Sequence, residues 1–263
     1  MEAIREGIRE QLSRIEKEEH VRILYACESG SRAWGFPSQD SDYDVRFIYV
    51  REPDWYLPIF DKRDVIERPI SEKLDISGWD LRKTLNLYLK SNPPLLEWLQ
   101  SPIQYTERGS VAEHLRSISP LTFNPKSCMF HYLSMARGNY RMYLQGEQVR
   151  IKKYFYVLRP VLACEWIETY STMPPIEFDV LADRFIPKEG ELRQVLEQLL
   201  ARKKSGEELD YEPKLNPINA YLEERLQHFE QSAAQSKSDK NKLGDRLDTL
   251  FRAVLREAWD SFK

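Results

Sequence analysis

The chain has 263 residues, 41% of them hydrophobic and 12% aromatic, which is enough for one large or two small cored domains and excludes wholesale disorder. Its 39 basic and 42 acidic side chains leave a formal charge of −3, so no global positive field grips nucleic acid and only a local basic patch can do so. Three scattered cysteines and four scattered histidines argue against a zinc site or a disulfide framework, and no run is long and apolar enough for a membrane span.

The charged start, Met1 to Glu10, lacks the apolar centre of a signal peptide, and a cytoplasmic setting is expected. Ile4, Ile8, Leu12 and Ile15 recur at helical spacing, predicting an amphipathic helix over 2–18. The apolar run Val21–Ala26 predicts a buried strand that ends in the Ser29-Gly30 turn, and Asp42–Val50 predicts a second strand able to pair with it. After an irregular stretch, 53–63, two short strands are expected at Asp64–Glu67 and Glu72–Ser77. A helix over Trp79–Lys90 is stopped by Asn92-Pro93-Pro94, and a short helix follows at Leu95–Leu99.

Beyond Asn124 strand signals fade. Helical periodicity marks 125–145, 150–170, 189–203, 216–233 and 243–261, the last carrying a stripe from Leu243 to Trp259. Breaks fall at Gly146, at Met173-Pro174-Pro175 and at 204–214, while the polar stretch 235–242 reads as a solvated connector. The expected fold is therefore α+β: a mixed domain with a small β-sheet over 1–119 and an all-helical domain over 120–263.

The chemistry concentrates between Cys27 and Val50. Asp42 and Asp44 lie two apart at the start of a strand and project from one face, while Tyr43 and Val45 point into a core. Two close carboxylates repel unless a cation neutralises them, and oxygen-only ligands suit Mg²⁺ or Mn²⁺. Upstream, Gly30 permits close backbone approach and Ser31 offers a hydroxyl and an amide, a turn able to cradle phosphate oxygens. Together they fit metal-assisted phosphoryl or nucleotidyl transfer.

This segment resembles the nucleotidyltransferase signature of the DNA polymerase beta superfamily, in which Gly-Ser precedes an Asp-hydrophobic-Asp strand. The wording Gly30-Ser31-Arg32-Ala33-Trp34-Gly35 and Ser41-Asp42-Tyr43-Asp44-Val45-Arg46-Phe47 is more specifically similar to the YcgL-type family, a predicted nucleotidyltransferase group associated with RNA repair. So are Asp75-Ile76-Ser77-Gly78-Trp79-Asp80-Leu81-Arg82-Lys83 and Ser91-Asn92-Pro93-Pro94-Leu95-Leu96-Glu97-Trp98. The resemblance implies a palm-like catalytic domain and a third carboxylate on a neighbouring strand. With Leu74 and Ile76 facing the core, alternation selects Asp75 as general base or metal ligand, Glu67 remaining the competitor. Asp80 reads as a cap for the helix that follows.

Arg32 and Arg46 are the nearest cations. Arg46 shares the face of Asp42 and Asp44, where it is placed either to pair with a carboxylate or to touch a phosphate. Trp34 reads as a packing plug or as a base-stacking ring. In the resembled superfamily a following helical domain often donates a cation to the triphosphate and an aromatic to the base, and Lys153, Tyr156 and Arg159 resemble such donors. A local groove along Arg137–Arg159 would suffice for RNA.

The expected activity is a metal-dependent nucleotidyltransferase that moves NMP from an NTP such as ATP to an acceptor hydroxyl, an RNA 3′ end being favoured, with release of pyrophosphate. The alternatives are a toxin–antitoxin component that transfers AMP to a protein acceptor, and a non-catalytic NTP- or nucleic-acid-binding module.

Overall fold

A computed structural model describes residues 2–39, 41–69, 73–207, 209–232 and 241–259. In chain order the first part reads α1 (Glu2–Glu19), β1 (Val21–Glu28), the single turn α2 (Gly30–Ala33) and β2 (Tyr43–Arg51). Then come β3 (Val65–Glu67), β4 (Leu74–Asp80), α3 (Leu81–Tyr88), α4 (Pro93–Gln100), β5 (Gln104–Glu107) and α5 (Val111–Thr122). The second part reads α6 (Pro125–Tyr143), β6 (Gln148–Arg150), a 3-10 turn (Ile151–Tyr154), α7 (Phe155–Tyr170) and α8 (Phe178–Phe185). It continues with α9 (Glu191–Ser205), β7 (Tyr211–Pro213), α10 (Asn216–Ser232) and α11 (Asn241–Trp259).

The fold is α+β, and the chain divides into two compact units. One comprises 1–33, 42–122 and 238–263; the other comprises 34–41 and 123–237. The chain passes from the first to the second after Thr122 rather than at Ser119-Pro120, because Pro120 lies inside α5. The C-terminal helix α11 groups with the mixed unit, through contacts to α3, α5 and β2. Its amphipathic stripe is visible in the sequence, but a stripe does not name the surface it covers.

Among the described residues the mixed unit holds a five-stranded sheet in the order β3-β4-β2-β1-β5. β2 and β4 run parallel and the other neighbours antiparallel. On one face Ile8, Leu12 and Ile15 of α1 pack with Ile23, Val45, Phe47, Tyr49 and Ile76. These are the alternate residues that a half-buried strand turns inward. The contacts of α3 and α11 to β2, and of α5 to β1, cover the other face.

The helix expected from Trp79 begins only at Leu81, since Trp79 and Asp80 belong to β4 and continue its pairing with β2 as far as Tyr49↔Asp80. Gly78 makes that extension possible: a Cβ there would sit 2.1 Å from the ring of Phe47. Asp80 is the N-cap of α3, its carboxylate accepting the Arg82 N–H at 2.7 Å. Asn92 caps α4 in the same way, through the Leu95 N–H.

The second unit is built around α7, which is buried on nearly every side from Phe155 to Ile167. It is not all-helical, because β6 and β7 form a small antiparallel sheet. Strands of three residues leave no periodic trace in the sequence. Elements β5, α5 and α8 also lie where no element was expected. The connector expected at 235–242 falls mostly outside the described residues, as does Glu72.

Candidate active site

The site in the mixed unit is assembled by the end of β1 and the beginnings of β2 and β4. Strand β1 closes on Glu28, Ser29 leads into Gly30, and Gly30 adopts φ +60, a left-handed conformation that disfavours a side chain. A Cβ at Gly30 would lie 2.1 Å from Asp44 Oδ2. The glycine is thus required twice, for the turn and for the approach of the Asp44 carboxylate to the backbone. The Ser29 N–H donates to the Asp44 carbonyl at 2.8 Å, and the Asp44 N–H donates to Glu28 Oε1 at 2.7 Å. Both sides of the Asp44 peptide are therefore clamped to the turn.

Across the sheet, Asp44 pairs in register with Asp75 on the parallel strand β4. Val45 and Ile76 are buried against α1, so alternation turns Asp44 and Asp75 to the opposite face. There Arg46 joins them: its Nη2 donates to Asp75 Oδ2 at 2.7 Å and to Asp44 Oδ1 at 3.3 Å. Its Nη1 donates to the carbonyls of Val45 and Asp75, each at 3.0 Å. The side chains of Asp44 and Asp75 are 30% and 31% exposed and Arg46 19%, so the group is half-buried and open to solute. Of the two roles open to Arg46 from sequence, this geometry displays the pairing with carboxylates.

Asp42 precedes β2 and is exposed. Its carbonyl accepts Arg32 Nε at 3.1 Å, and the Arg32 guanidinium lies 3.7 Å from the centre of the Tyr43 ring. Ser31 sits within the single turn α2. Glu67, the competitor for the third carboxylate, is paired with Arg63 at 2.6 Å on the edge strand β3.

In the helical unit, Lys153 and Tyr156 line an open cavity with Arg150, Lys152 and Lys203. Arg159, expected to join them, is 1% exposed and is not part of that wall. Its guanidinium donates to the Ile176 carbonyl at 3.3 Å and lies 5.0 Å from the Trp34 ring. Helical spacing groups Arg159 with Lys152 and Tyr156, but the core closes over α7 at Arg159 while Tyr156 stays exposed, so a shared face is not a shared exposure. Trp34 packs against the same core, its carbonyl accepting the Phe178 N–H at 2.9 Å. Arg137 is engaged with Glu230 at 2.6 Å.

Glu28 went unrecognised in the sequence. It is fully buried, its Oε1 holding the Asp44 N–H and its Oε2 accepting the hydroxyl of Tyr105. Burial pushes its carboxyl above the ordinary 4.5, opposed by these two hydrogen bonds. The available signal was an acid closing an apolar strand immediately before Ser-Gly-Ser. Buried and aimed at a backbone amide, Glu28 is a positioning residue for Asp44.

The carboxylates offer oxygen donors only, the set that hard divalent ions prefer. Among the described residues no group of three or more His, Cys, Asp or Glu is gathered as a metal cage. Asp44 and Asp75 nevertheless converge on one positive group, Arg46, so the pair already accommodates a cation. The residues fit a divalent ion held by these two carboxylates and completed by its other ligands.

The family model RlaP, described as the RNA repair pathway DNA polymerase beta family, matches residues 4–253. The chain belongs to this family. It is also 51% identical over 256 residues to the uncharacterized protein YcgL of Bacillus subtilis (strain 168), covering 97% of this chain and 98% of the relative. A crystal structure of a nucleotidyltransferase-like protein from Exiguobacterium sibiricum 255-15 aligns with a TM-score of 0.34 at 12% identity, covering 88% of this chain and 77% of that one. The match to the RNA repair pathway DNA polymerase beta family takes in most of α1 and of α11, and so extends well beyond the motifs quoted between Gly30 and Trp98. Among the described residues no helix is long and apolar enough to cross a membrane.

Proposed function

We propose that the chain is a metal-dependent nucleotidyltransferase that passes NMP from an NTP to the 3′ hydroxyl of an RNA acceptor and releases pyrophosphate. The observation that carries this reading is the register of Asp44 with Asp75 across parallel strands, with the Gly30 turn pressed against the Asp44 carboxylate. A turn with backbone donors and a pair of half-exposed carboxylates on one sheet face is what transfer of a phosphoryl-bearing group needs from a protein.

Asp44 and Asp75, with Asp42 nearby in sequence, would hold Mg²⁺ or Mn²⁺, and the ion would supply charge neutralisation for the phosphate oxygens. The chain's own residues do the rest. Gly30 and Ser31 present backbone and hydroxyl donors to phosphate oxygens, and Arg32 adds positive charge beside the turn. Asp75 receives the proton as the acceptor oxygen bonds to the α-phosphorus and the bond to pyrophosphate breaks. Arg46 keeps the two carboxylates together by compensating their repulsion. Glu28 and Ser29 fix the Asp44 backbone, so the carboxylate is placed before substrate arrives.

The test is transfer of label from each of the four α-labelled NTPs, with Mg²⁺ or Mn²⁺, to RNA, protein and small-molecule acceptors. Label on RNA that disappears in Asp44→Asn supports the reading. Equal labelling by the wild type and Asp44→Asn sinks it.

A further inference from the structure

The helical unit carries a cavity of about 690 Å³ whose wall is dominated by positive charge. Arg150 comes from the end of β6, Lys152 and Lys153 from the 3-10 turn that follows, and Lys203 from the last turn of α9. Lys203 is steadied by the hydroxyls of Ser38 and Ser41, each 3.3 Å from its ammonium. Gathering like charges in one concavity is unfavourable, and an entering anion relieves it. The strain registers at Lys153: burial, then the neighbouring Arg150 and Lys152 charges, hold its ammonium below the ordinary lysine range.

Two carboxylates, Glu207 and Asp210, also line the cavity, so four cations face two acids and Arg202 engages Glu207 at 2.6 Å. That surplus suits a ligand carrying one charge per phosphate better than the dense charge of a triphosphate. The cations are interleaved with aromatic faces. Lys153 Nζ lies 4.7 Å from the ring centre of Tyr156 and 4.5 Å from that of Tyr143. The Arg150 guanidinium lies 5.7 Å from the ring of Tyr211, which is 60% exposed. Cations that follow a backbone beside rings on which bases stack are the two elements of single-strand binding.

We propose that this cavity binds the phosphodiester backbone and a stacked base of a single-stranded nucleic acid, through Arg150, Lys152, Lys153 and Lys203 and the ring of Tyr156. As the seat of the acceptor strand it rests on the transferase reading; as a binding site it stands without it. Chain charge is no obstacle, because the charge is local.

The probe is a fluorescent single-stranded RNA of about 12 nucleotides, longer than the smallest single-strand sites, bound to the full-length protein and followed by anisotropy across a salt series. Arg150 and Lys152 are exposed, so the double variant R150Q/K152Q is expected to fold normally. It should bind about ten-fold more weakly or worse, and its salt slope should fall by about 1.4, near 0.7 for each cation removed. Tyr156→Ala should weaken binding by about five-fold or more. Unchanged RNA affinity in R150Q/K152Q overturns the assignment, and so does displacement of the RNA by tripolyphosphate or an NTP at concentrations far below those needed with unlabelled strand. Transfer activity with cavity-independent RNA binding defeats this proposal alone, whereas cavity-dependent binding without transfer defeats the transferase reading alone.

Discussion

Asp44 and Asp75 stand opposite each other on parallel strands, and one guanidinium, that of Arg46, hydrogen-bonds both carboxylates. The protein thus carries a cation of its own at the place where two acids meet. Replacing it tests what the pair prefers. In Arg46→Gln the carboxylates lose their compensating charge, so the thermal midpoint without divalent ions should fall, and Mg²⁺ should raise it by more than in the wild type. No Mg²⁺ response in either protein would show that the pair does not take up the ion.

Gly30→Ala introduces a methyl group where 2.1 Å separates its position from Asp44 Oδ2, at a φ of +60. Strain of about 1–3 kcal/mol is expected, with transfer lowered at least about ten-fold, because a displaced reacting group loses the benefit of orientation. Chemical denaturation and label transfer measure the two effects. Wild-type rates in a destabilised variant would remove Gly30 from the site.

Lys153 and Arg159 were paired by their sequence, but the structure separates their roles. Arg159→Met should unfold markedly earlier, since it removes a buried donor and leaves the Ile176 carbonyl without it. Lys153→Gln should leave the melting curve within a degree or so, being a change outside the core, while weakening binding of anionic ligand. The reverse pattern would contradict the assignment.

Asp80 joins the sheet to α3: its carboxylate accepts the Arg82 N–H and the Tyr56 hydroxyl, both at 2.7 Å. Asp80→Ala should cost about 1–3 kcal/mol of unfolding free energy, and Asp80→Asn, which keeps one of the two acceptor oxygens, should recover part of it. Equal losses in the two variants would mean that the acceptor is not what matters.

Glu165 is a buried acid of the helical unit, held by the Tyr221 hydroxyl at 2.6 Å and by Arg225 at 3.5 Å. Burial raises its carboxyl above the ordinary 4.5, outweighing the Tyr221 and Arg225 contacts. Such a group holds its proton more tightly folded than unfolded. Its contribution is therefore complete below about 4.5, the unfolded value, and is lost as the pH rises through the raised folded value. Glu165→Gln cannot ionise, so its stability relative to the wild type should improve between pH 4.5 and neutrality. A gap that stays constant with pH would disprove the linkage.

Much of the mixed unit was legible because its strands alternate cleanly. Val45 and Ile76 turning inward place Asp44 and Asp75 on one face, in keeping with the alternation by which Asp75 was preferred to Glu67 once the resemblance implied a third carboxylate. The parallel pairing was not legible, since strand direction depends on where the chain returns, and neither was β5, with Tyr105 alone fully inside. The start of α3 was misplaced because Trp79 extends the apolar pattern of Leu81 and Leu85, while Gly78 marks the close approach of Phe47 that keeps the strand going. Arg46 was recognised as a cation on the right face, but its choice of partners is a matter of distance. Glu28 was missed because an acid after an apolar strand reads as the strand's wet end, and only the packing of Tyr105 over it shows that it is dry. The cationic cavity draws on β6, the turn after it and α9, which lie about fifty residues apart in sequence and come together only in the fold.

The most direct test of the central claim is nucleotide transfer itself. The wild type, Asp44→Asn and Asp75→Asn, all shown to be folded, are incubated with α-labelled NTP, Mg²⁺ or Mn²⁺ and a single-stranded RNA bearing a free 3′ hydroxyl. The expected result is label at the RNA 3′ end with the wild type, and a loss of about a hundred- to a thousand-fold with either variant, the scale on which removing a charge-stabilising group acts. Transfer that survives both substitutions, or a wild type that labels no acceptor with any NTP, would contradict the account.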